Sequence, residues 1–387
     1  MRLFRIPSFF RSALTKRTLA DRTVLVRVLV VSGLLSGCAI TNEAPVIQHS
    51  VIQDAATQAP ATLPVKVVVV TMFEIGADEG DRAGEFQLWK ERRNIEPLPF
   101  LGYRDLHYDA ESQLLVLVTG IGTARATAAT MALGLDPRFD LTHSYWLVAG
   151  IAGIDPEDAP VGSAVWAEYL VDGDLAHEID PREIPDDWEF GYFPRYTKGP
   201  LDTHKPEPTG EMYRLNPGLT EWAYQLTKHV ELIDDPSVQH VRDLYTQHPE
   251  AQRKPYVLKG DHIAGYTFWH GKLMNDWANH WVDYWTDGKG EFVTSAMEDT
   301  GTYLSLMWLD RIGRVDKDRL MVLRTGSNYT MQPPGVTAAE NLLKENQGYA
   351  GLQISVEAAY RVGSVVVDEI TSNWSTYKDQ IPQGQKQ

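Results

Sequence analysis

Val65-Lys66-Val67-Val68-Val69-Val70 places five valines in six positions without polar alternation. A β-branched run of that kind is a strand covered on both faces, which points to the interior of a largely parallel sheet. Leu114-Leu115-Val116-Leu117-Val118 is a second such strand, followed by Thr119-Gly120-Ile121-Gly122 and an Ala-rich helix predicted over Thr123 to Leu133. Ser144 to Val148 gives a third, closed by the small residues Ala149-Gly150-Ile151-Ala152-Gly153. Val161 to Val171 extends the set beyond an Asp155-Pro156 turn, Leu320 to Leu323 adds a late strand, and Ile354 to Trp374 reads as a long closing helix. Strands alternating with helices predict an α/β fold with a mixed, largely parallel central sheet.

One domain over residues 65–377 accounts for these elements, because α/β units of that size occur as single bodies. Residues 172–255 are acidic, rich in Pro, Trp and Tyr, and weakly periodic. They read as loops and insertions laid over the core. Asp261 to Trp285 runs from a strand through a loop into an aromatic-rich helix, whose Trp277, Trp281 and Trp285 recur every four residues as a core stripe. Residues 378–387 read as a disordered tail.

The first 37 residues read as an address. Arg2, Arg5, Arg11, Lys16, Arg17 and Arg22 precede a short apolar run from Val28 to Leu35, which ends at Leu35-Ser36-Gly37-Cys38. A basic start, a short apolar middle and small residues at a cut site describe a secretory signal and not a membrane span. Cys38 is the single cysteine of the chain. It stands where a bacterial lipoprotein signal acylates its cysteine, and Leu35-Ser36-Gly37-Cys38 resembles that lipobox. Acyl chains would anchor the protein, each buried methylene contributing about 0.8 kcal/mol. Ala39 after the cysteine resembles the outer-membrane sorting pattern, so the expected location is the periplasmic side of the outer membrane. The competing readings are a conventional secretory cleavage site or a buried structural cysteine. Residues 38–64 form the expected flexible tether, with too little apolar surface to offset ordering entropy.

Charge narrows the partners. The chain carries 36 basic and 52 acidic side chains, a net charge of −16. Removing residues 1–37 takes seven basic and one acidic group, leaving 29 against 51, or −22. Such a field opposes nucleic acid, which is bound through basic surfaces. No apolar stretch approaches the roughly 20 residues of a membrane-crossing helix. One cysteine excludes a disulfide framework and cysteine-based zinc sites. His262, His270 and His280 lack compact ligand spacing, so no metal is expected.

Gly120-Ile121-Gly122 lies between a strand and a helix, as in dinucleotide folds, but Arg125 occupies the third glycine position. No nicotinamide or other cofactor is expected. What survives is either a tight strand–helix turn or a loop that lets a ligand approach the backbone near free N–H groups at a helix start.

The order of these parts resembles the purine nucleoside phosphorylase and nucleosidase superfamily. The matching pieces are the buried first strand with its acidic loop, Gly120-Ile121-Gly122-Thr123, Ala149 to Gly153 with Pro160-Val161-Gly162, Ser295-Ala296-Met297-Glu298, and Val322 to Asn328. Phe73-Glu74-Ile75-Gly76, Trp269-His270-Gly271, Met297-Glu298-Asp299 and Arg324-Thr325-Gly326-Ser327-Asn328-Tyr329 are similar, more narrowly, to the purine nucleoside permease family.

The resemblance implies a three-layer α/β/α fold with a purine nucleoside pocket at the strand ends, and often a homo-oligomer. Met297 and Glu298 would lie under the ribose, where a carboxylate accepts sugar hydroxyls and opposes the charge of an oxocarbenium ion. Glu298 also precedes a predicted helix, Thr300 to Arg311, and reads equally as a helix-start acid. Asn328 would meet the base where nucleosidases carry Asp; an amide can hydrogen-bond the leaving nitrogen but cannot protonate it. It also reads as a turn residue beside Gly326-Ser327. Glu74 matches the segment that positions an attacking water, although a solvated loop acid reads as well, and Asp78 and Glu79 are its neighbours. Phe268 and Trp269 would stack on the base, while Gly120, Gly122, Thr123 and Gly150 would form the pocket loops. Phosphorylases need cations, and Arg82 and Arg125 stand in no phosphate-binding pattern, whereas Arg324 at a strand end suits pairing with an acid.

Three functions fit these residues: a nucleoside-binding lipoprotein that supports uptake, an N-glycosidase or phosphorylase that splits nucleosides outside the inner membrane, or a structural lipoprotein with a degenerate pocket. Lacking a channel-forming helix, the chain would leave the pore to another protein.

Overall fold

The computed structural model describes residues 62–100, 102–200 and 202–384. The signal segment 1–37, Cys38 and nearly all of the tether lie outside the described residues. Seven strands frame the centre of the molecule: β1 (Val67–Thr71), β2 (Leu114–Val118), β3 (Tyr145–Ile154), β4 (Tyr169–Asp172), β5 (Asp261–Ala264), β6 (Phe292–Ala296) and β7 (Leu320–Tyr329). The helices that matter here are α1 (Gln87–Arg92), α2 (Thr123–Leu135), α3 (Pro217–Thr227), α4 (Lys272–Thr286), α5 (Asp299–Arg311), α6 (Ala338–Glu345) and α7 (Leu352–Ser372).

The strands belong to one twelve-stranded mixed sheet. β1 pairs in parallel with β2 and β3, placing Val67 opposite Leu114 and Tyr145. β7 runs parallel to β3, and β5 runs parallel to both β4 and β6. β6 meets β3 antiparallel at Ser295–Gly153. Alternate residues leave the two faces of each strand. Val68, Val70, Leu115, Leu117 and Val148 pack against Ala129 and Leu133 of α2 and Leu306 and Leu309 of α5. Val67, Val69, Val116 and Leu147 pack on the other face against Trp89 of α1 and Val362, Val366 and Ile370 of α7. That arrangement is the expected three-layer α/β/α architecture. Trp277, Trp281 and Trp285 of α4 are buried around Ile263 and Phe292.

Several boundaries differ from the sequence reading. Ala149 to Gly153 does not close the third strand but continues it, because β7 offers a ladder over the same length, with Arg324 opposite Gly150 and Asn328 opposite Gly153. Order begins before Val65: Leu63–Pro64 pairs in parallel with Phe139–Asp140. The tail is not free through its described part. Arg319 donates to the carbonyls of Tyr377 and Lys378, at 3.0 and 2.9 Å, and Gly384 N–H reaches Gly218 O at 2.9 Å. Ile381 then covers apolar surface beside Trp222 and Tyr377. Residues 172–255 also join the sheet, since Met212–Arg214 pairs antiparallel with β4. Among the described residues no helix is long and apolar enough to cross a membrane.

Candidate active site

A cavity of about 410 Å³ opens beyond the ends of β1, β3, β6 and β7. Ligands of open α/β sheets bind outside the carboxyl ends of strands, and this volume lies within the small-molecule range. Met72 follows β1, Ile151 and Gly153 come from β3, Ser295 to Glu298 end β6, and Arg324, Ser327 and Asn328 come from β7.

Glu298 is buried at the N-terminus of α5. One oxygen accepts the Gly122 N–H at 2.9 Å, and the other accepts Arg324 Nη2 at 2.9 Å and the Met297 N–H at 3.3 Å. The free donor expected at the start of α2 is therefore committed to a residue of the chain. Gly122 holds φ at +102°, and a β-carbon there would lie 2.7 Å from the Tyr266 ring, so both conformation and space call for glycine. Thr123 Oγ1 donates to Met297 O at 2.8 Å, tying the same loop to the segment before Glu298.

Arg324 organises the acids behind the cavity. Its Nε and Nη2 donate to Asp299 at 3.2 and 2.7 Å, and its Nη1 to Ile151 O at 3.0 Å. His262 Nε2 lies 2.7 Å from Asp299 Oδ2, and His262 Nδ1 lies 3.0 Å from Thr294 Oγ1. Burial opposes charge on Asp299, but Arg324 and then His262 outweigh it and hold the carboxyl well below the usual range. Burial likewise opposes charge on Arg324, and Asp299, Glu298 and Glu85 together keep the guanidinium protonated.

Glu85 also lines the cavity and was not anticipated. Its oxygens accept the N–H groups of Met72 and Ile151 at 2.7 and 2.8 Å. Burial pushes its carboxyl up to about 8, against the pull of Arg324 and with a further push from Glu298. Gly150 makes room for this contact, since a β-carbon there would lie 2.7 Å from Glu85 Oε1 and 2.1 Å from Met72 Cε.

A family model for purine nucleoside permease matches residues 64–382. The chain belongs to that family. It is 28% identical to a purine nucleoside permease of Candida albicans, over 96% of this chain and 91% of that protein. It is 29% identical to a probable purine nucleoside permease of Schizosaccharomyces pombe, over 80% of this chain and 90% of the relative. Among solved structures, it is similar to a 5′-methylthioadenosine/S-adenosylhomocysteine nucleosidase from Neisseria meningitidis in complex with methylthio-immucillin-A. That match has a TM-score of 0.47 and 15% identity, covering 79% of this chain and 99% of the other. Futalosine hydrolase of Helicobacter pylori gives a TM-score of 0.46 and 16% identity, covering 79% and 98%.

In this member of the permease family the cavity brings together Met297, Glu298, Asn328 and Phe268. None of the expected loop residues Gly120, Gly122, Thr123 and Gly150 lines the cavity, although Ile121 of the same loop does. Gly122, Thr123 and Gly150 act from behind, through their contacts with Glu298, Met297 and Glu85, and Gly120 faces Arg125. Two expected residues point elsewhere. Glu74 is no base at the cavity: it accepts the N–H groups of Ile75, Gly84, Phe86 and Gln87, so its carboxyl caps α1. Trp269 is no stacking platform, because its ring packs 5.9 Å from both Trp277 and Phe292, in the aromatic core. Sequence reasoning missed Glu85, Glu345 and Tyr349, all of which line the cavity. A signal for Glu85 exists in Gly84-Glu85-Phe86, an acid at a helix entrance beside a small residue. Glu345 carries none, being one of several charges on an exposed-looking helix.

Proposed function

We propose that the chain binds purine nucleosides in this cavity and cleaves their N-glycosidic bond with water. The reading rests chiefly on one observation: Glu298, held between Gly122 and Arg324, shares a cavity with Asn328 and Glu85. A fixed carboxyl beneath the furanose accepts its hydroxyls and opposes the positive charge that grows on the ring as the bond to the base breaks. Glu85, with a carboxyl poised at about 8, takes a proton from the attacking water in place of Glu74. Phe268 offers a face to the heterocycle.

Water is favoured over phosphate by the cations at hand. Of those lining the cavity, Arg324 is committed to Asp299, Glu298 and Ile151, and Arg82 stands exposed at the rim. The purified protein should release hypoxanthine from inosine, or adenine from adenosine, without added phosphate. Binding with no base release would reduce the function to recognition. Release that depends on phosphate and yields ribose 1-phosphate would make the reaction a phosphorolysis.

The relatives bear the name permease, and the role in uptake proposed here is capture and processing, with another protein forming the pore. Cys38 as a lipid anchor facing the periplasm would place this activity upstream of the inner membrane. Cys38→Ser should move the protein from the membrane to the soluble fraction; a variant still lipidated would exclude that anchor.

A further inference from the structure

Asn328 leaves the hydrolytic reading short of an acid. When the C1′–N9 bond breaks, its electron pair goes to the base, which then needs a proton, and an amide has none to transfer. The Asn328 amide is moreover engaged: Oδ1 accepts Ser327 Oγ at 3.0 Å, and Nδ2 donates to Tyr329 O at 3.2 Å.

The missing group stands in the same cavity. Glu345 is the last residue of α6 and lines the cavity with Asn328, Phe268 and Tyr349. Phe268 and Tyr349 lie nearly parallel, at 9° and 6.1 Å between centroids, and so mark the region a flat heterocycle would occupy. Glu345 Oε1 accepts Asn341 Nδ2 at 3.0 Å, whereas Oε2 is buried with no hydrogen-bond partner. A buried carboxyl with one oxygen unsatisfied is suited to carry a proton, and because the Glu345 side chain lines the cavity, a turn of its carboxyl brings that proton to a ligand.

We propose that Glu345 donates the proton that the departing purine takes up at N7, a task Asn328 cannot perform. The assignment rests on the hydrolytic reading. In the step, the O–H pair of Glu345 stays on its carboxylate, N7 gains the proton, and the C1′–N9 pair moves into the base. Water bonds to C1′ and gives its proton to Glu85, so nucleoside and water become free base and ribose. Exchange with solvent resets both acids.

The surroundings agree. Burial pushes the Glu345 carboxyl up to about 7, with the hydrogen bond from the Asn341 amide working the other way. The titratable groups facing it are His270, Tyr245 and Tyr349. His270 Nδ1 lies 3.9 Å from Glu345 Oε2, and burial lowers that imidazole to about 4, so it is neutral and does not draw the proton away. Burial, then the Glu345 charge, raises both tyrosines, which stay neutral as well.

The test compares two leaving groups on the full protein. Inosine needs a proton at its base; 4-nitrophenyl β-D-riboside leaves as a stable anion and needs none. Glu345→Gln should lose about 10²–10⁴-fold in kcat on inosine while keeping most of its rate on the nitrophenyl riboside, and that retained rate reports a folded site. Asn328→Asp in the Glu345→Gln background should recover part of the inosine rate by returning an acid to the base. Equal losses on both substrates with no recovery in the double variant, or an unimpaired inosine rate in Glu345→Gln, would overturn the assignment. Wild-type protein that cleaves neither substrate would instead overturn the hydrolytic reading itself.

Discussion

Arg324 grips Asp299 with two nitrogens, Nε on Oδ1 at 3.2 Å and Nη2 on Oδ2 at 2.7 Å, and both side chains are buried. The same guanidinium reaches Glu298, so the pair behind the wall sets the position of the acid in front of it. Removing one member of a buried pair strands the other's charge at a cost of about 3–5 kcal/mol. Asp299→Ala should therefore destabilise the protein by about that amount, visible as a lower urea midpoint at unchanged slope. A midpoint equal to wild type would mean that Glu298 alone suffices to compensate Arg324.

Glu298→Gln tests the sugar contact with little change of shape. The amide oxygen still accepts the Gly122 N–H, while the charge opposing the oxocarbenium ion is gone. Loss of one such electrostatic element costs about 10²–10³-fold in kcat. The free purine base should bind as before in calorimetry, because its proposed contacts lie at Phe268 and Asn328. Unchanged turnover would remove Glu298 from the chemistry and leave it a helix-start acid.

The framework of this site was legible because runs such as Val67–Val70 and Leu114–Val118 have one way to be buried, inside a parallel sheet. Glycines 120, 122 and 150 marked places where backbone comes close to something, and Glu298 and Asn328 could be placed through the motifs around them. What was not legible depends on how the chain folds back. Glu74 follows β1 directly, yet its four N–H contacts turn it into a cap. The loop it anchors carries Glu85 back to Met72, whose N–H lies 2.7 Å from the carboxyl. No local pattern encodes that return. Glu345 was invisible for a related reason: its neighbour Asn341 is on its own helix, but Asn328 and His270 come from elsewhere in the chain.

Phe268 and Trp269 are adjacent in sequence and serve different ends. Phe268 is 43% exposed and lines the cavity, whereas Trp269 packs among Trp277 and Phe292. Stacking on a base contributes about 1–3 kcal/mol. Phe268→Ala should thus raise KM for inosine roughly five- to hundredfold, with thermal stability near wild type. Trp269→Ala should do the reverse, costing about 2–4 kcal/mol of stability as a core truncation while KM stays within a few-fold. The opposite pattern in a paired kinetic and melting experiment would exchange the two assignments.

Glu85 links activity to pH and stability with opposite signs. Its carboxyl sits near 8 when folded against an ordinary 4.5, so the folded state favours the proton. Folding is then helped by this group at low pH, and the help fades as pH rises from about 4.5 through about 8. Wild type should lose on the order of 3–5 kcal/mol over that interval from this residue, and Glu85→Gln should not. Melting curves at mildly acid and at alkaline pH would show the variant gaining on wild type as pH rises; parallel curves would place Glu85 in a less buried setting. Activity runs the other way, because a base must have given up its proton. The productive form has Glu85 ionised and Glu345 protonated, so wild-type kcat/KM should climb with pH up to about 7, hold a low maximum between about 7 and about 8 and fall above about 8, with that form a minority throughout. Glu85→Gln should lower turnover about 10²–10⁴-fold at that maximum. A Glu85→Gln variant with full activity and the wild-type profile would remove it as the residue that activates water.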